Sequence, residues 1–491
     1  MNKSSISTAS TCLLVFLSSA WLPPAPAAAS KIAFSTFLGG SKGDFGHAIA
    51  QTPEGGLVIV GTTDSRNFPT FRALQGESPA RYPNRTRNAF VVKLDASGTK
   101  IEFATYLGGS AGGLATTVAV DPSGNIYVAG ETRSDDFPTV AGLDVPPAQN
   151  YGFLTKISPD GQTILFSTLL GVSPSALVYE RNGRVFVAGG SFSTEFFGLP
   201  PHPSGPYALY TAFIASIDTR GARLGAFALL GESGIQYVTH LAWDKKRRIL
   251  WAAGATDSAD FPTIRPLRQT SGLVVGDDSD PAGFLSRFEI AEGSLRLKSS
   301  SILPGKVQAL AVDRKGRPHL AFLFEDLEIE GWEDFAGRCG DSNYLRIQAS
   351  GRQLQNAQCL PIWEVTDLAV DRRARVIIAG GSKLGVPLVD PVQATPNDPP
   401  YGAGDLYVAV LAQGAVRPLF GTYLGGRRHD SVGHPAGLLS GGLTVSPSGE
   451  RILLTRSTLS RDYTQVSPVE SEKPRGRLKY AAFVTELRPY E

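Results

Sequence analysis

FSTFLGGS, Phe34–Ser41, returns as FATYLGGS at Phe103–Ser110, and each copy is followed by a second phrase of one kind. After the first comes HAIAQTPEGGLVIVGTT from His47, and after the second TVAVDPSGNIYVAGET from Thr117. Fixed-period self-similarity is the signature of a repeat architecture. Weaker copies of the first phrase start at Phe166, Phe227 and Phe420. The second recurs from Ala176, His240, Ala309, Asp367 and Gly442, which makes seven. A third phrase closes every unit: AFVVKL at Ala89, GFLTKI at Gly152, AFIASI at Ala212, GFLSRF at Gly283, NYLRI at Asn343, LYVAVL at Leu406 and AFVTEL at Ala482.

A complete unit holds four apolar runs of strand length, A to D, rich in Val, Ile, Phe and Tyr. Turn chemistry separates them, as in Asp121-Pro122-Ser123-Gly124 and Asp95-Ala96-Ser97-Gly98. Most runs are apolar on both faces, which suits strands covered on both sides. Run A repeats a small residue at Ala50, Ala119, Ala242, Ala311 and Ala369. Run C repeats an aromatic at Phe90, Phe153, Phe213, Phe284, Tyr344, Tyr407 and Phe483, a packing stripe. These features predict an all-β, seven-bladed β-propeller of four-stranded antiparallel blades. The units run at about 46–107, 115–170, 174–230, 237–303, 306–360, 364–424 and 441–487. The last unit lacks run D, whereas Phe34–Gly39 is a run D with nothing before it. The N-terminal strand, about 32–38, is therefore expected to complete the last blade and close the ring.

Residues 1–29 read as a secretory signal peptide: Lys3, an apolar run from Cys12 to Trp21, then Ala27-Ala28-Ala29 with cleavage near Ala29. Residues 30–491 then form one propeller domain, secreted or periplasmic, with no run long enough to span a membrane. The formal net charge of +2 over 491 residues gives no bulk attraction for nucleic acid. Cleavage leaves Cys339 and Cys359, which flank a predicted hairpin near Ser350-Gly351 and are expected to form a disulfide.

The phrases at Phe34–Ser41 and Ala119–Gly130, with Asp135-Asp136-Phe137-Pro138-Thr139, resemble the SBBP family of bacterial β-propeller repeats. That resemblance implies an exported or cell-surface propeller and supplies no catalytic residues.

Two surfaces are candidates. The long B-to-C connections carry Asp64, Asp135, Asp136, Asp257, Asp260, Asp277, Asp278 and Asp280. Long loops on a rigid scaffold concentrate binding residues. The A-to-B turns become basic in units three to six: Arg181 and Arg184; Lys245, Lys246, Arg247 and Arg248; Arg314, Lys315 and Arg317; Arg372, Arg373 and Arg375. An arc of such turns suits an anionic polysaccharide or an acidic protein, while solvated turn charge balanced by Glu180, Asp244, Asp313 and Asp371 is the plain alternative. None of the six histidines falls in a known catalytic motif. His429, Asp430 and His434 form a loose trio. The expectation is a monomeric binding scaffold without catalytic residues, cofactor or metal, its ligand an unidentified protein or polysaccharide. A polysaccharide hydrolase or lyase working from the long-loop face is the alternative.

Overall fold

The computed structural model describes residues 31–81, 87–145, 151–192, 197, 208–231, 233–270, 281–291, 293–323, 342–360, 362–382, 385–396, 405–413, 418–426, 441–458, 460, 463, 466 and 480–490. Among them the regular elements are β-strands and one 3-10 turn, Arg268–Thr270.

After β1 (Lys31–Leu38), strands follow in antiparallel groups. The first is β2 (Asp44–Gln51), β3 (Leu57–Thr63), β4 (Asn88–Leu94) and β5 (Ile101–Leu107). The second is β6 (Gly113–Val120), β7 (Ile126–Thr132), β8 (Tyr151–Ile157) and β9 (Ile164–Leu169). Next come β10 (Ser173–Arg181), β11 (Arg184–Ser191), β12 (Ala208–Asp218) and β13 (Arg223–Leu230), then β14 (Gly234–Asp244), β15 (Ile249–Thr256), β16 (Ala282–Ala291) and β17 (Ser294–Leu303). These two groups are joined into one eight-stranded sheet by a short parallel pairing of β12 with β14, Ala208 with Gly234 and Tyr210 with Ile235. Four-stranded sheets resume with β18 (Lys306–Val312), β19 (Pro318–Leu323), β20 (Ser342–Ile347) and β21 (Leu354–Cys359). The next holds β22 (Ile362–Val370), β23 (Val376–Ser382), β24 (Leu406–Leu411) and β25 (Pro418–Leu424). The last holds β26 (Gly442–Val445), β27 (Ile452–Thr458) and β28 (Ala481–Arg488), and its fourth strand is β1, with Phe37 opposite Phe483.

Each group packs face to face on the next. Phe103 and Val91 of the first share a cluster with Ile126 and Phe153 of the second. Phe34, Leu38, Leu453 and Val484 of the last pack with Ile59 and Phe90 of the first. The aromatic stripe of run C is buried throughout, from Phe90 to Phe483. Arg451 adds a polar tie between the last sheet and the first: it donates to Gly55 O and Ala96 O, both at 2.9 Å, and pairs with buried Glu486 at 2.7 Å.

The first strand of most groups carries a β-bulge at one repeated place, leaving His47, Thr116, Ser175, Thr239, Gln308 and Thr366 out of register. Polar side chains at or beside these bulges reach the next group of strands. His47 Nδ1 lies 2.8 Å from Ala115 O, and Thr116 Oγ1 donates to Pro174 O at 3.1 Å. Ser175 Oγ donates to Val238 O, Val365 N donates to Gln308 Oε1 at 3.3 Å, and Leu443 N donates to Asp367 Oδ2 at 2.7 Å. The bulge also accounts for the glycine near the end of the second phrase, Gly61 and Gly130. A Cβ at Gly61 or Gly130 would strike the carbonyl oxygen of Phe45 or Leu114, which the bulge pushes across the neighbouring strand.

Candidate functional site

The A-to-B turns are built round a carboxylate. Asp121 Oδ1 accepts from Ser123 N and Asn125 N, both at 2.9 Å, the local Asx geometry that closes such turns. In two of the basic turns an arginine four residues on replaces the asparagine. Arg317 Nε donates to Asp313 Oδ2 at 2.6 Å, and Arg375 Nε to Asp371 Oδ2 at 2.5 Å. Both arginines are buried, at 8 % exposure each. Arg375 also donates to Ser448 O at 3.2 Å, and Arg247 pairs with Asp244 at 2.9 Å while reaching Arg314 O at 3.3 Å. The predicted arc therefore divides by position within each turn. Arg317 and Arg375 are internal ion-pair partners and present no free charge. Arg181, Lys245, Lys246, Arg314, Lys315, Arg372 and Arg373 are exposed, as is the paired Arg247, while Arg184 and Arg248 are half-buried.

Turns of several sheets converge on a cavity of ≈ 550 Å³, lined by residues 51–55 and 120–122 with Tyr179, Glu180, Lys245 and Pro447. The Glu180 side chain is 1 % exposed, with Arg181 Nε and Arg184 Nη1 each 3.6 Å from its carboxylate.

On the other side the long connections have a structural task. Asp136 Oδ1 accepts from Ser110 N at 2.7 Å, and Ser134 Oγ from Ala111 N at 2.9 Å. Asn67 and Ser65 hold Ser41 and Lys42 in the same way, and Asp260 accepts from Ser233 N at 3.3 Å. The Gly-Gly-Ser phrase and the Phe-Pro-Thr phrase are thus two halves of one clamp. The clamp phenylalanine lies against the run-C aromatic of its own unit: Phe68 on Phe90 at 4.7 Å, Phe137 on Phe153 at 4.6 Å, Phe261 on Phe284 at 4.7 Å. Beyond the clamp the chain crosses to the outer strand and bridges it, Phe71 to Ala104, Val140 to Ser167 and Ile264 to Ser300, and Val389 bridges Gly421 in the same way. These straps cover an edge that would otherwise be open for pairing. Asp136, Asp257 and Asp260, read from sequence as candidate ligand carboxylates, are engaged as caps on neighbouring backbone amides.

Buried titratable groups lie along the bulge line and the clamps. Burial pushes Asp44 up to about 7, partly offset by hydrogen bonds from Thr63, Gly40 and Ser65. Burial likewise pushes Asp367 up to about 6 and His240 down to about 4.

Cys359 ends β21, opposite Asn343. Cys339, residues 1–30, Asp277, Asp278, Asp280, His429, Asp430 and His434 lie outside the described residues. Among the described residues no helix is long and apolar enough to cross a membrane, and no group of three His, Cys, Asp or Glu side chains is placed to hold a metal ion.

Residues 102–138 match the model of the SBBP family, described as a beta-propeller repeat. This stretch is an SBBP β-propeller repeat. The SBBP match covers most of β5, all of β6 and β7, and both halves of the second clamp, Ser110 and Asp136. No curated protein matches the chain. Among solved structures, the WD40 repeats of RRP9 are similar at 11% identity and a TM-score of 0.47, over 94% of this chain and 100% of that one. U3-55K is similar at 10% identity and 0.46, over 93% and 99%. A chain of the mitotic checkpoint complex is similar at 11% identity and 0.46, over 99% and 100%.

Proposed function

We propose that the chain is an exported binding scaffold: a seven-bladed propeller, closed by β1 in the last blade, whose A-to-B turn face docks an anionic polysaccharide or an acidic protein. The blade count is supported by dividing the eight-stranded sheet at its short parallel join, into β10–β13 and β14–β17. Closure is supported by the β1–β28 pairing and by contacts running from each group's first strand to the next, β26 to β2 included. Export rests on the signal-peptide pattern of residues 1–29, and the oxidising exterior favours a bridge between Cys339 and Cys359. A monomer suits a ring in which five outer strands, β1, β5, β9, β17 and β25, are bridged by a further segment.

One observation carries the docking reading. Lys245, Lys246, Arg314, Lys315, Arg372 and Arg373 are exposed on three successive turns, and their buried companions Arg317 and Arg375 are fixed by Asp313 and Asp371. Rigid turns present charge with little ordering cost, which favours association with a polyanion. A glycan array probed with the mature protein at low and high salt tests it. Salt-sensitive binding to acidic glycans, lost on reversing Lys245, Lys246, Arg314 and Arg372 to Glu, is the expected result. Binding unaffected by those reversals contradicts the assignment of the face, and release of cleaved product contradicts the scaffold.

A further inference from the structure

The cavity at the hub of the A-to-B turn face has a polarity opposite to its surroundings. Its lining holds three carboxylates, Glu54, Asp121 and Glu180, and one cation, Lys245, while Arg181 and Arg184 flank Glu180 from outside the lining. Asp121 is used internally, by Ser123, Asn125 and Tyr127. Glu180 is different. Its carboxylate is buried and neither oxygen accepts a hydrogen bond, because Arg181 and Arg184 stop at 3.6 Å. Thr52 Oγ1, on the same lining, is also buried without a partner. Buried acceptors without donors are uncommon, and each needs a reason. The remaining walls include Pro53, Pro122, Pro447 and the Tyr179 ring, which suit a short apolar stem.

We propose that this cavity receives a cationic side chain of a peptide or protein partner, an ammonium or guanidinium whose N–H groups donate to Glu180 and Thr52 while its methylenes lie against the prolines and Tyr179. Such a group supplies the hydrogen-bond donors that Glu180 and Thr52 lack, on the cavity side of a carboxylate that Arg181 and Arg184 flank at 3.6 Å without bonding. A partner with a Lys or Arg tip flanked by acidic residues would engage the hub and the basic turns together. The inference rests on reading the chain as a binding scaffold. It concerns a ligand of opposite charge to the one the turns attract, so the two readings fail separately.

The test is calorimetric titration of the full mature chain with end-capped Gly-Gly-Lys-Gly-Gly and Gly-Gly-Arg-Gly-Gly, beside versions carrying Nε-acetyl-lysine or Glu at the centre. Binding of the Lys or Arg peptide at least about tenfold tighter than the acetylated one is expected. Glu180→Gln should weaken it by about tenfold or more. Glu180 is buried, so the exposed Glu54 provides a variant that spares the fold. Glu54→Lys should weaken the cationic peptides severalfold with the melting temperature unchanged, and Lys245→Glu should tighten them. Equal binding of all four peptides, no cationic-peptide binding up to about 10 mM, or affinity indifferent to Glu54→Lys and Lys245→Glu would overturn the proposal. An acidic-polysaccharide titration on the same preparation separates failure of the cavity from failure of the scaffold reading.

Discussion

Phe37, in the first strand, stands directly opposite Phe483, in the last, and the Tyr463 ring packs on both, 6.4 Å from the first and 4.3 Å from the second. Both phenylalanines are buried in the cluster shared by the last two sheets. Replacing Phe37 with Ala removes a large ring from a close-packed site and should cost about 3–5 kcal/mol. Chemical denaturation followed by tryptophan fluorescence measures this. A cost below about 1 kcal/mol would mean that the N-terminal strand is a loose appendage.

The line of polar side chains at the bulges predicts a cost distributed along the molecule. Thr116→Val keeps the shape but leaves Pro174 O without its donor from the neighbouring sheet. An expected loss of about 1–2 kcal/mol, with faster amide exchange near the start of β10, follows from the unsatisfied carbonyl. Unchanged stability and exchange would show that the tie does not couple the two sheets.

The buried carboxyl of Asp44 makes stability depend on pH in a defined direction. Its folded value of about 7 lies above the ordinary 3.8, so its contribution is complete below pH 4 and is lost as pH rises through 7. His240 acts the other way. With a folded value near 4 against 6.5, its contribution is present above pH 6.5 and is lost as pH falls through 4. Because the two slopes oppose each other, the informative quantity is a difference. Relative to the parent, Asp44→Asn should gain stability steadily from pH 4 to pH 7, as urea denaturation at several pH values will show. A constant offset across that range contradicts a protonated Asp44.

The two kinds of basic residue in the A-to-B turns should separate in experiment. Arg375→Met strips Asp371 of its buried partner and Ser448 O of a donor, and should cost about 3–5 kcal/mol with little change in polyanion affinity at a temperature where the variant is folded. Arg372→Glu should do the reverse, lowering affinity and leaving the melting temperature nearly unchanged. Equal behaviour of the two variants would contradict the division.

That division shows where the sequence was informative. The repeated phrases revealed the strands, their order and the pairing of β1 with the last sheet, because strand-length apolar runs and turn residues are local signals. In Asp-Arg-Lys-Gly-Arg and Asp-Arg-Arg-Ala-Arg every cation looks alike, and burial of the fifth residue becomes visible only when the turn closes on its Asp. The spacing of four was a usable clue. The bulges were equally latent: His47, Thr116, Thr239, Gln308 and Thr366 each sit three residues before the recurrent Ala, a polar position in an apolar strand. The clamps and outer straps join segments far apart in the chain, which no local pattern announces. The co-occurrence of Gly-Gly-Ser with Phe-Pro-Thr in the first and second units was their only trace.

If β1 supplies the missing strand of the last blade, its removal opens the molecule at one interface and exposes the apolar faces of two sheets. Thermal unfolding of a chain from residue 30 to 491 with residues 31–40 deleted, run beside the undeleted chain of the same span, measures this. A single cooperative transition displaced downward by more than about 10 °C, or no cooperative transition at all, is the predicted result. A deletion protein that melts where the intact one does would contradict closure of the ring.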